Sequence, residues 1–492
     1  MFLARQRLLA TLLGALTFLA LLVCAEPSFG NFPAAESLPK KIYDTIARSF
    51  GSSGSSNNQQ VLDGGAAHEE FSTMDWSQYE GDMVLRFNFT SPREKKAFIR
   101  AAEVLVLDVW KLSKASADVR ISRSRYHDFL RILPKSLRKS TSHSVMIEDL
   151  QHAVISTFPM ANNEMQVTKE SDIHTTAEMF FKDYRDLDTI YDWLDLLAST
   201  YPSYVSLEVI GQTAEGRDLK AVHIHSRSSF DEKKTVVVTS GLHAREWISV
   251  SSALYAVFQL VTNNDKHQEG TLLDQLDFLF VPVMNPDGYV YSWEHDRLWR
   301  KNRQDTGFAL CRGIDLDHSF NFHWQPSTGT PCSESYAGSR AHEALEVYHF
   351  SHYINKTKSE GHKYYGYLDW HSYSQSILYP YAYSCDAEPR DEENLLELAY
   401  GLAKTIRWTS GKHFEVLPAC QDRDGFYSPD VEGSGGSALD FMYNIHAIWA
   451  FQIKLRDTGN YGFLMPKKYI LPVAKEMYNS FKYFSDFILN PE

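Results

Sequence analysis

Cysteine, glycine and proline are scarce in this sequence, and its negative charges outnumber its positive ones. Five Cys in 492 residues are too few for a small fold that is built around disulfides. The 26 Gly and 18 Pro exclude a collagen-like or low-complexity chain. With 49 Lys and Arg against 62 Asp and Glu, the net charge of −13 argues against a nucleic-acid partner.

The residues that are abundant suit a large folded protein. Hydrophobic residues make up 43% of the chain and aromatic residues 13%, which is enough to bury an extensive core. At roughly 100–200 residues per domain, the chain should contain roughly two to four domains.

The first 25 residues have the pattern of a secretory signal. Arg5 and Arg7 precede an apolar run over residues 8–23, and the small residues that end with Ala25 fit a cleavage site. A single membrane anchor is the alternative, but the run is short for a span and no charged stop-transfer segment follows. We therefore expect a secreted or vacuolar protein, with no membrane partner once the signal is removed.

Signal removal would take Cys24 and leave Cys311, Cys332, Cys385 and Cys420. An even number of cysteines in an oxidising compartment favours two disulfides. Four cysteines allow three pairings, and proximity along the chain favours Cys311–Cys332 and Cys385–Cys420.

Two sequons for N-linked glycosylation begin at Asn88 and Asn355. Such short motifs are common by chance, but both are consistent with passage through the endoplasmic reticulum.

Shifts in composition divide the rest of the chain into four segments. Residues 26–75 are predicted to be a flexible leader, because they include the polar, Gly- and Ser-rich run 51–60. Residues 76–150 alternate strands and helices in the order β-α-β-β-α-β, which is typical of a small α+β, ferredoxin-like domain. Residues 151–180 are polar and irregular, a connector, and residues 181–492 form a larger domain.

Within the small domain, Ser91 begins a capping box with proline at the first helical position, so a helix should run to about Val104. A second helix is predicted over Tyr126–Leu137. Strands are predicted over residues 83–89, 106–112, 118–122 and 144–150.

The larger domain alternates apolar strands with amphipathic helices. Val236–Thr239 is predicted to be a buried strand, Trp247–Val261 a helix, and Phe278–Val283 a strand that ends in a turn at Asn285–Gly288. Further strands are predicted over Tyr364–Trp370 and Ile448–Leu455. The alternation predicts an α/β fold whose mixed, mostly parallel sheet carries helices on both faces. In such sheets the ligand crevice lies beyond the carboxyl ends of the strands.

Two histidines and a glutamate directly follow predicted strands. His243 and Glu246 come after the strand at 236–239, and His371 follows the strand that ends at Trp370. Two His and one carboxylate suit a catalytic zinc ion, because three protein ligands leave the fourth position open. The His-x-x-Glu spacing alone is a weak signal in a chain with 19 His.

Longer motifs around these residues strengthen the prediction. In chain order they are GLHAREW at 241–247, PDGY at 286–289, RLWRKNR at 297–303, WHSYSQ at 370–375 and LRDTGNYGF at 455–463. Together they resemble the zinc carboxypeptidase A/B family, for which two His and one Glu are the known ligand set. The resemblance covers roughly residues 180–490, and residues 76–150 resemble the family's propeptide.

The resemblance implies one Zn²⁺ per chain, held by His243, Glu246 and His371. Arg300 matches the residue that stabilises the developing oxyanion in that family. Positions that match the family's substrate groove and pocket are Arg245, Asp317, His318, Ser372, Tyr373, Tyr427 and Leu439. The leucine would make the specificity pocket apolar, and the tyrosine at 427 would be the mobile residue that closes over the peptide end.

One departure from the family pattern affects proton transfer. The family strand ends in a glutamate just before LRDTG, whereas this sequence has Lys454. In the family that glutamate takes a proton from water and passes it to the leaving amine, and a charged lysine cannot accept one. A buried lysine that had lost its proton could serve as the base, and this is the alternative.

A second departure affects substrate binding. The family has Asn-Arg where this sequence has Asp317-His318, and that arginine binds the terminal carboxylate of the peptide through a bidentate contact. Histidine cannot reproduce this fork, and the aspartate adds a repelling charge. Because one charge of each sign has changed place, we expect Lys454 and Asp317 to pair within about 4 Å.

We therefore interpret the chain as a zinc-binding carboxypeptidase fold that is catalytically silent. This combination resembles the fungal inactive metallocarboxypeptidases linked to cell-wall organisation, which implies a peptide or a cell-wall component as partner. One alternative is an active enzyme that releases apolar C-terminal residues. Another is a wall-binding structural protein in which zinc only stabilises the fold. The sequence leaves the oligomeric state open.

Overall fold

A computed structural model describes residues 74–159, 173–225, 234–264, 272–326, 330–421, 435–445 and 447–490. The predicted signal, almost all of the predicted leader and Tyr427 lie outside these residues.

Residues 76–150, the predicted small domain, which we call the N-terminal domain, contain a four-stranded antiparallel sheet with two helices packed on it. Its elements are β1 (Asp82–Asn88), α1 (Pro92–Val104), β2 (Asp108–Leu112), β3 (Ser116–Ser122), α2 (Arg123–Ile132) and β4 (His143–Ile147). The strand order is β2-β3-β1-β4, and each neighbouring pair is antiparallel. The order of elements along the chain is the one that the sequence predicts.

Helix α1 begins where the capping box predicts. The Ser91 hydroxyl accepts a hydrogen bond from the Glu94 amide at 3.4 Å. The Glu94 carboxylate accepts one from the Thr90 amide at 2.7 Å, so the side chains satisfy amides that the helix itself leaves unpaired.

Helix α2 ends at Ile132, five residues before the predicted end at Leu137. Leu133 precedes Pro134 in the sequence, and the residue before a proline disfavours the helical region of backbone space. The apolar periodicity that continues past this point was a misleading signal.

The sheet of the N-terminal domain buries side chains on both faces. On one face Phe87 packs against Phe98 of α1 and Phe129 of α2, with ring centroids 5.4 and 5.6 Å apart. On the other face Val84 and Trp110 join the core of the larger domain. One face therefore holds the domain's own helices, and the other docks the domain onto the rest of the chain.

Both described ends of the connector are helical, so the prediction of an irregular segment is wrong there. Helix α3 covers Leu150–Ile155 and helix α4 covers Ile173–Phe180. Val154 and Phe180 lie in the core of the larger domain, and this packing stabilises helices too short to be stable alone.

Residues 181–492, the predicted larger domain, which we call the C-terminal domain, contain an eight-stranded mixed sheet. Its helices are α5 (Leu187–Thr200), α6 (Trp247–Asn264), α7 (Leu272–Gln275), α8 (Pro286–Glu294), α9 (Leu345–Ser359), α10 (Glu392–Ser410), α11 (Ala438–Ile445) and α12 (Ile470–Leu489). Its strands are β5 (Val205–Gln212), β6 (Asp218–Ile224), β7 (Lys234–Ser240), β8 (Leu276–Val281), β9 (Lys363–Ser372), β10 (Ser376–Tyr379), β11 (Glu415–Pro418) and β12 (Trp449–Leu455).

The strand order is β11-β10-β12-β9-β7-β8-β6-β5, and the central pairs are parallel. Nearly every residue of β7, β9 and β12 is buried, so both faces of the sheet are covered at its centre. The predicted α/β fold is confirmed.

The segment predicted as a turn after β8 is instead the start of α8. The Asn285 side chain accepts a hydrogen bond from the Gly288 amide at 2.9 Å, and Pro286 occupies the first helical position. Asparagine followed by proline is as typical of a helix N-terminus as of a turn. The predicted turn at Asn285–Gly288 is therefore wrong.

Three parallel strands bring the chemically interesting residues to one edge of the sheet. His243 and Glu246 follow β7, His371 is near the end of β9, and Lys454 is near the end of β12. Because β12, β9 and β7 are neighbours and parallel, their carboxyl ends meet at the predicted crevice.

Two disulfides brace loops of the C-terminal domain. Cys311–Cys332 joins residues whose Cα atoms are 4.6 Å apart, and Cys385–Cys420 joins Cα atoms 5.3 Å apart. These are the two predicted pairings.

Asn88, at the end of β1, and Asn355, on α9, are both exposed, and their glycosylation stays a prediction. None of the helices in the described ranges combines the length and the apolar character that crossing a bilayer requires.

The turn between β7 and His243 depends on Gly241, which has φ +65° and whose added Cβ would lie 2.8 Å from the Val250 side chain. Gly216 has φ +81° but open space around it. We expect Gly241→Ala to lower the free energy of unfolding by about 2–5 kcal/mol, through backbone strain and crowding. Gly216→Ala should lower it by about 1–2 kcal/mol, through strain alone. Urea unfolding measures both, and equal losses would contradict the crowding argument.

Candidate metal centre

His243, Glu246 and His371 meet at the carboxyl edge of the sheet. The Nδ1 atoms of the two histidines are 3.2 Å apart. They lie 2.8 Å from Oε1 and 3.0 Å from Oε2 of the glutamate, respectively, and all three side chains are buried. Within the part of the chain that the structure describes, no other group of three His, Cys, Asp or Glu side chains converges closely enough to hold a metal ion.

The outward nitrogen of each histidine contacts a carboxylate. His243 Nε2 is 3.2 Å from Asp315 Oδ1, and His371 Nε2 is 3.0 Å from Asp369 Oδ2. A carboxylate that accepts the Nε2–H bond fixes the tautomer and leaves the Nδ1 lone pair facing the cluster. Ligand atoms that share a tetrahedral zinc ion at about 2.0–2.2 Å lie roughly 3.3 Å apart, so the residues present fit this ion.

Electrostatics inside the cluster favour a bound cation. Burial alone would raise the pKa of Glu246, but His243 and His371 hold that pKa well below its usual range. Burial would lower the pKa of His371, but the carboxylates of Asp369 and Glu246 raise it well above its usual value. The negative charges that hold a proton on the histidine would equally stabilise a metal ion in its place.

Arg300 is linked to the cluster through Asp315. Its Nε and Nη2 atoms lie 3.2 and 3.0 Å from Asp315 Oδ2, and the guanidinium is buried. Burial would raise the pKa of Asp315, but the charge of the Arg300 guanidinium holds it well below its usual range. Asp315 therefore connects this arginine to the candidate ligand His243.

Lys454 lies beside a candidate ligand in the sheet. The register pairs it with His371 on β9 and with Ser376 on β10. Neighbouring strands are about 4.8 Å apart and register partners project to the same face. The lysine is buried, and it leaves the sheet on the side of the candidate ligand His371, where the family pattern has its glutamate.

The predicted ion pair between Asp317 and Lys454 is not formed. Asp317 Oδ1 accepts a hydrogen bond from the Ala438 amide at 2.9 Å, and its Oδ2 accepts one from Gln452 Nε2 at 2.9 Å. Gln452 lies two residues before Lys454 on β12 and so projects from the same face. The Gln452 amide therefore forms the contact with Asp317 that was predicted for Lys454.

His318 contacts the acid behind the candidate ligands. Its Nε2 atom is 3.5 Å from Asp315 Oδ2, and burial lowers the pKa of this histidine. A neutral imidazole offers no charged, bidentate contact to a carboxylate, so the anchor of the family pattern is missing.

Comparison with known proteins agrees with this geometry. A family described as zinc carboxypeptidase matches residues 190–480. The chain belongs to this family. A relative named inactive metallocarboxypeptidase ECM14, from Saccharomyces cerevisiae, is 50% identical over 389 residues, which cover 78% of this chain and 86% of the relative. One of the same name from Sclerotinia sclerotiorum is 42% identical over 441 residues, covering 84% and 74%.

Solved structures show the same fold. Carboxypeptidase A from Helicoverpa armigera superposes with a TM-score of 0.71 at 24% identity, covering 84% of this chain and 98% of that one. Thrombin activatable fibrinolysis inhibitor gives 0.70 at 24% identity, covering 83% and 99%. At this identity the similarity supports the architecture alone.

In this member of the zinc carboxypeptidase family, the N-terminal domain contacts two predicted substrate-binding residues. Arg245 Nη1 donates to both carboxylate oxygens of Asp108 on β2, at 3.1 and 3.2 Å. The Tyr373 hydroxyl donates to Asp118 on β3 at 2.7 Å. Burial and the charge of Asp118 raise the pKa of Tyr373, which keeps the hydroxyl a donor.

The remaining predicted groove residues are placed as follows. The Ser372 amide donates to Glu246 Oε2 at 3.1 Å, and its hydroxyl is buried with no hydrogen-bond partner among the described residues. Leu439 is buried in the first turn of α11. Tyr427 lies outside the described residues, so its role stays a prediction.

Sequence reasoning missed the acids that orient the histidines. Asp369 lies two residues before His371 on β9, and the period of two would have placed both on one face. No spacing rule links Asp315 to His243, which is 72 residues away. Only the folded structure brings that pair together.

Asp369→Asn should weaken zinc affinity about 10- to 100-fold, because it removes the charge that fixes the tautomer of His371. Competition with a chromophoric chelator measures the affinity. Asp195→Asn is the matched control, since Asp195 is exposed and its carboxylate pairs with Lys220. Equal affinities for the two variants would contradict this role of Asp369.

A buried acid supports the segment that carries Arg300. Asn302 donates to Glu346 Oε2 at 2.8 Å and accepts from the Ile314 amide at 2.7 Å. Burial raises the pKa of Glu346 from 4.5 to about 7. Its contribution to stability is therefore complete below pH 4.5 and is lost as the pH rises to about 7.

Glu346→Gln should remove this loss. Between pH 4.5 and pH 7, the stability of the variant relative to the wild type should rise by on the order of 3 kcal/mol. Chemical unfolding at several pH values measures the difference. Glu360→Gln, at an exposed site, should show no such trend, and a pH-independent difference for Glu346→Gln would contradict the assignment.

Proposed function

We propose that this chain is a zinc-binding member of the family that does not hydrolyse peptide bonds. The observation that carries the proposal is Lys454, which lies beside His371 where the family pattern has its general base. The relatives named inactive metallocarboxypeptidase, at 50% and 42% identity, support it.

His243, Glu246 and His371 would hold the ion. A bound zinc ion supplies a Lewis acid at the edge of the sheet. Asp315 and Asp369 keep the two imidazoles in the tautomer that ligation needs. Every group that metal binding requires is thus present, buried and oriented.

Proton transfer is the step that the chain does not support. Peptide hydrolysis needs a group that takes a proton from water and returns it to the leaving amine. The ammonium group of Lys454 is a donor with no acceptor lone pair. A positioned acid–base group contributes typically about 10²–10⁴ in rate, and this term is missing.

Recognition of a peptide's C-terminus is weakened as well. Asp317 is held by the Ala438 amide and the Gln452 side chain, and its charge repels a carboxylate. His318 is buried beside Asp315 and presents no guanidinium fork. Arg245 and Ser372 keep a buried Nε and hydroxyl with no partner in the described ranges, which would let the groove bind a peptide only when the N-terminal domain, whose Asp108 holds Arg245, has moved away.

We further propose that the N-terminal domain is a propeptide that stays docked. Arg86 donates to Asp118 and to the Thr458 carbonyl, both at 2.6 Å. Trp110 packs over Gly462, where an added Cβ would lie 2.9 Å from the ring. The only Lys or Arg between residues 151 and 180 is Lys169, so the connector offers little to a trypsin-like protease.

The signal pattern, the two disulfides and the two sequons support a secreted or vacuolar location. A role in cell-wall organisation is implied by the resemblance to the fungal inactive metallocarboxypeptidases. In this proposal the folded, metal-loaded chain acts by binding a peptide or a wall component, without turnover.

The test compares the wild type with a triple variant, Lys454→Glu, Asp317→Asn and His318→Arg. Both carry an inserted protease site between residues 160 and 172, are cleaved there, are separated from the N-terminal domain, and are incubated with peptides that end in Phe or Leu. We expect one zinc per chain in both, no release by the wild type, and release by the variant at least about 10²-fold above it. Adding His371→Ala to the triple variant is the control without a complete ligand set.

Three results would contradict the proposal. Zinc-dependent release by the wild type that His371→Ala abolishes would show an active enzyme. A wild type that binds no zinc would refute the metal site. A silent triple variant that binds zinc would show that these three positions do not account for the loss of activity.

A further inference from the structure

The two domains of this chain carry opposite net charges. Residues 76–150 contain 14 Lys and Arg against 9 Asp and Glu, whereas residues 181–492 contain 29 against 42. The acidic total of −13 therefore conceals a basic N-terminal domain.

The basic excess lies in the helical layer of that domain. Helices α1 and α2 and residues 133–141 together contain ten Lys or Arg and three Asp or Glu. We define the basic face by its exposed members, which are Arg93, Arg100, Arg123, Arg125, Arg131, Lys135, Arg138 and Lys139.

This layer is on the side of the domain away from the candidate metal centre. The sheet contacts the C-terminal domain through Asp108, Trp110 and Asp118, on the face opposite to Phe87. The two helices cover the Phe87 face, and a helix is about 10 Å thick. That thickness exceeds the Debye length of about 8 Å at physiological salt, so the acidic C-terminal domain is largely screened from a ligand on the basic face.

Arginines on the two sides of the domain have different partners. On the sheet, Arg86 pairs with Asp118 and Arg120 with Asp82, both at 2.6 Å. In the helical layer, Arg138 donates instead to the carbonyls of Leu133 and Arg131, both at 2.7 Å.

Arg125 likewise donates to the Leu105 carbonyl. A carbonyl positions a guanidinium without neutralising its charge. Arg123 and Arg131 do have carboxylate neighbours, Glu148 and Asp128, and Arg100 interacts with Glu103. All six residues are exposed, so these interactions are weak. The basic face therefore presents positioned positive charges that the protein itself compensates only in part.

We propose that the basic face binds a polyanionic glycan. A polymer with regularly spaced negative charges gains affinity by releasing its counterions to such an array. The choice of a glycan rests on the secretory location in the proposed function, and not on catalytic silence. Anionic lipids are concentrated in the cytoplasmic leaflet, which disfavours a lipid surface as the partner of a protein in the secretory pathway and favours phosphate-, sulfate- or carboxylate-bearing glycans.

The experiment measures binding of the full chain to immobilised dextran sulfate, with neutral dextran as the reference for the same backbone without charge. We expect binding to dextran sulfate alone, and at least about tenfold weaker binding when the salt is raised from about 0.05 to 0.5 M. The variant Arg93→Gln, Arg100→Gln, Lys135→Gln, Lys139→Gln should bind at least about tenfold more weakly than the wild type.

The matched control is Lys356→Gln, Arg407→Gln, Lys412→Gln, Lys482→Gln, which changes the net charge equally at exposed sites of the C-terminal domain. It should bind within about twofold of the wild type. Thermal unfolding verifies that both variants fold, and the salt dependence of the wild type tests the proposal without any variant.

Four results would overturn the proposal. The first is equal binding to dextran sulfate and neutral dextran, and the second is binding that salt does not weaken. The third is an equal loss of affinity in the two variants. The fourth is stronger binding to vesicles of phosphatidylcholine with about 30% phosphatidylserine than to dextran sulfate. The last would assign the face to a lipid surface. Because neither zinc content nor peptidase activity enters these measurements, failure here is distinguishable from failure of the proposed function.

Discussion

The register that sets Lys454 beside His371 is the constraint on which the site depends. Strands β12, β9 and β7 are adjacent and parallel, so the two candidate ligands after β7, the candidate ligand near the end of β9 and the lysine near the end of β12 share one edge. A slip of one residue would turn the lysine to the opposite face, and Gln452 would turn with it. The same pairing therefore fixes both the ammonium group beside the ligands and the amide that holds Asp317.

Prediction from sequence succeeded where a feature is local or where a motif fixes it. The Ser91 capping box set the start of α1, and the five family motifs indicated the three ligands that the structure brings together. Prediction was wrong at Asn285-Pro286, because this motif is found both in turns and at helix N-termini. It was also wrong at the end of α2, because a proline ends the helix although the apolar periodicity continues. The partners of the histidines depend on tertiary folding, so Asp315 could not be inferred from its spacing.

The Asp317–Lys454 hypothesis shows a different limit. The exchanged charges suggested a direct contact between Asp317 and Lys454. The sequence does not reveal that a third side chain competes with the lysine for the aspartate. Gln452 donates to Asp317 at 2.9 Å, and a neutral amide satisfies a buried carboxylate without a second desolvated charge. Complementary substitutions can thus preserve the charge of a site without touching one another.

This conservation of charge shows how the candidate metal centre can keep its electrostatic balance without a glutamate at position 454. The family pattern has Glu, Asn and Arg at positions 454, 317 and 318, whereas this chain has Lys, Asp and a histidine that burial keeps neutral. Each set contains one positive, one negative and one neutral group, so the exchange leaves the net charge around the buried ligands unchanged. A lysine introduced alone would make the net charge around the candidate ligands more positive and would so oppose a cation there. With both Lys454 and Asp317, this chain lacks the glutamate of the family pattern, but the net charge around the candidate ligands stays as in that pattern.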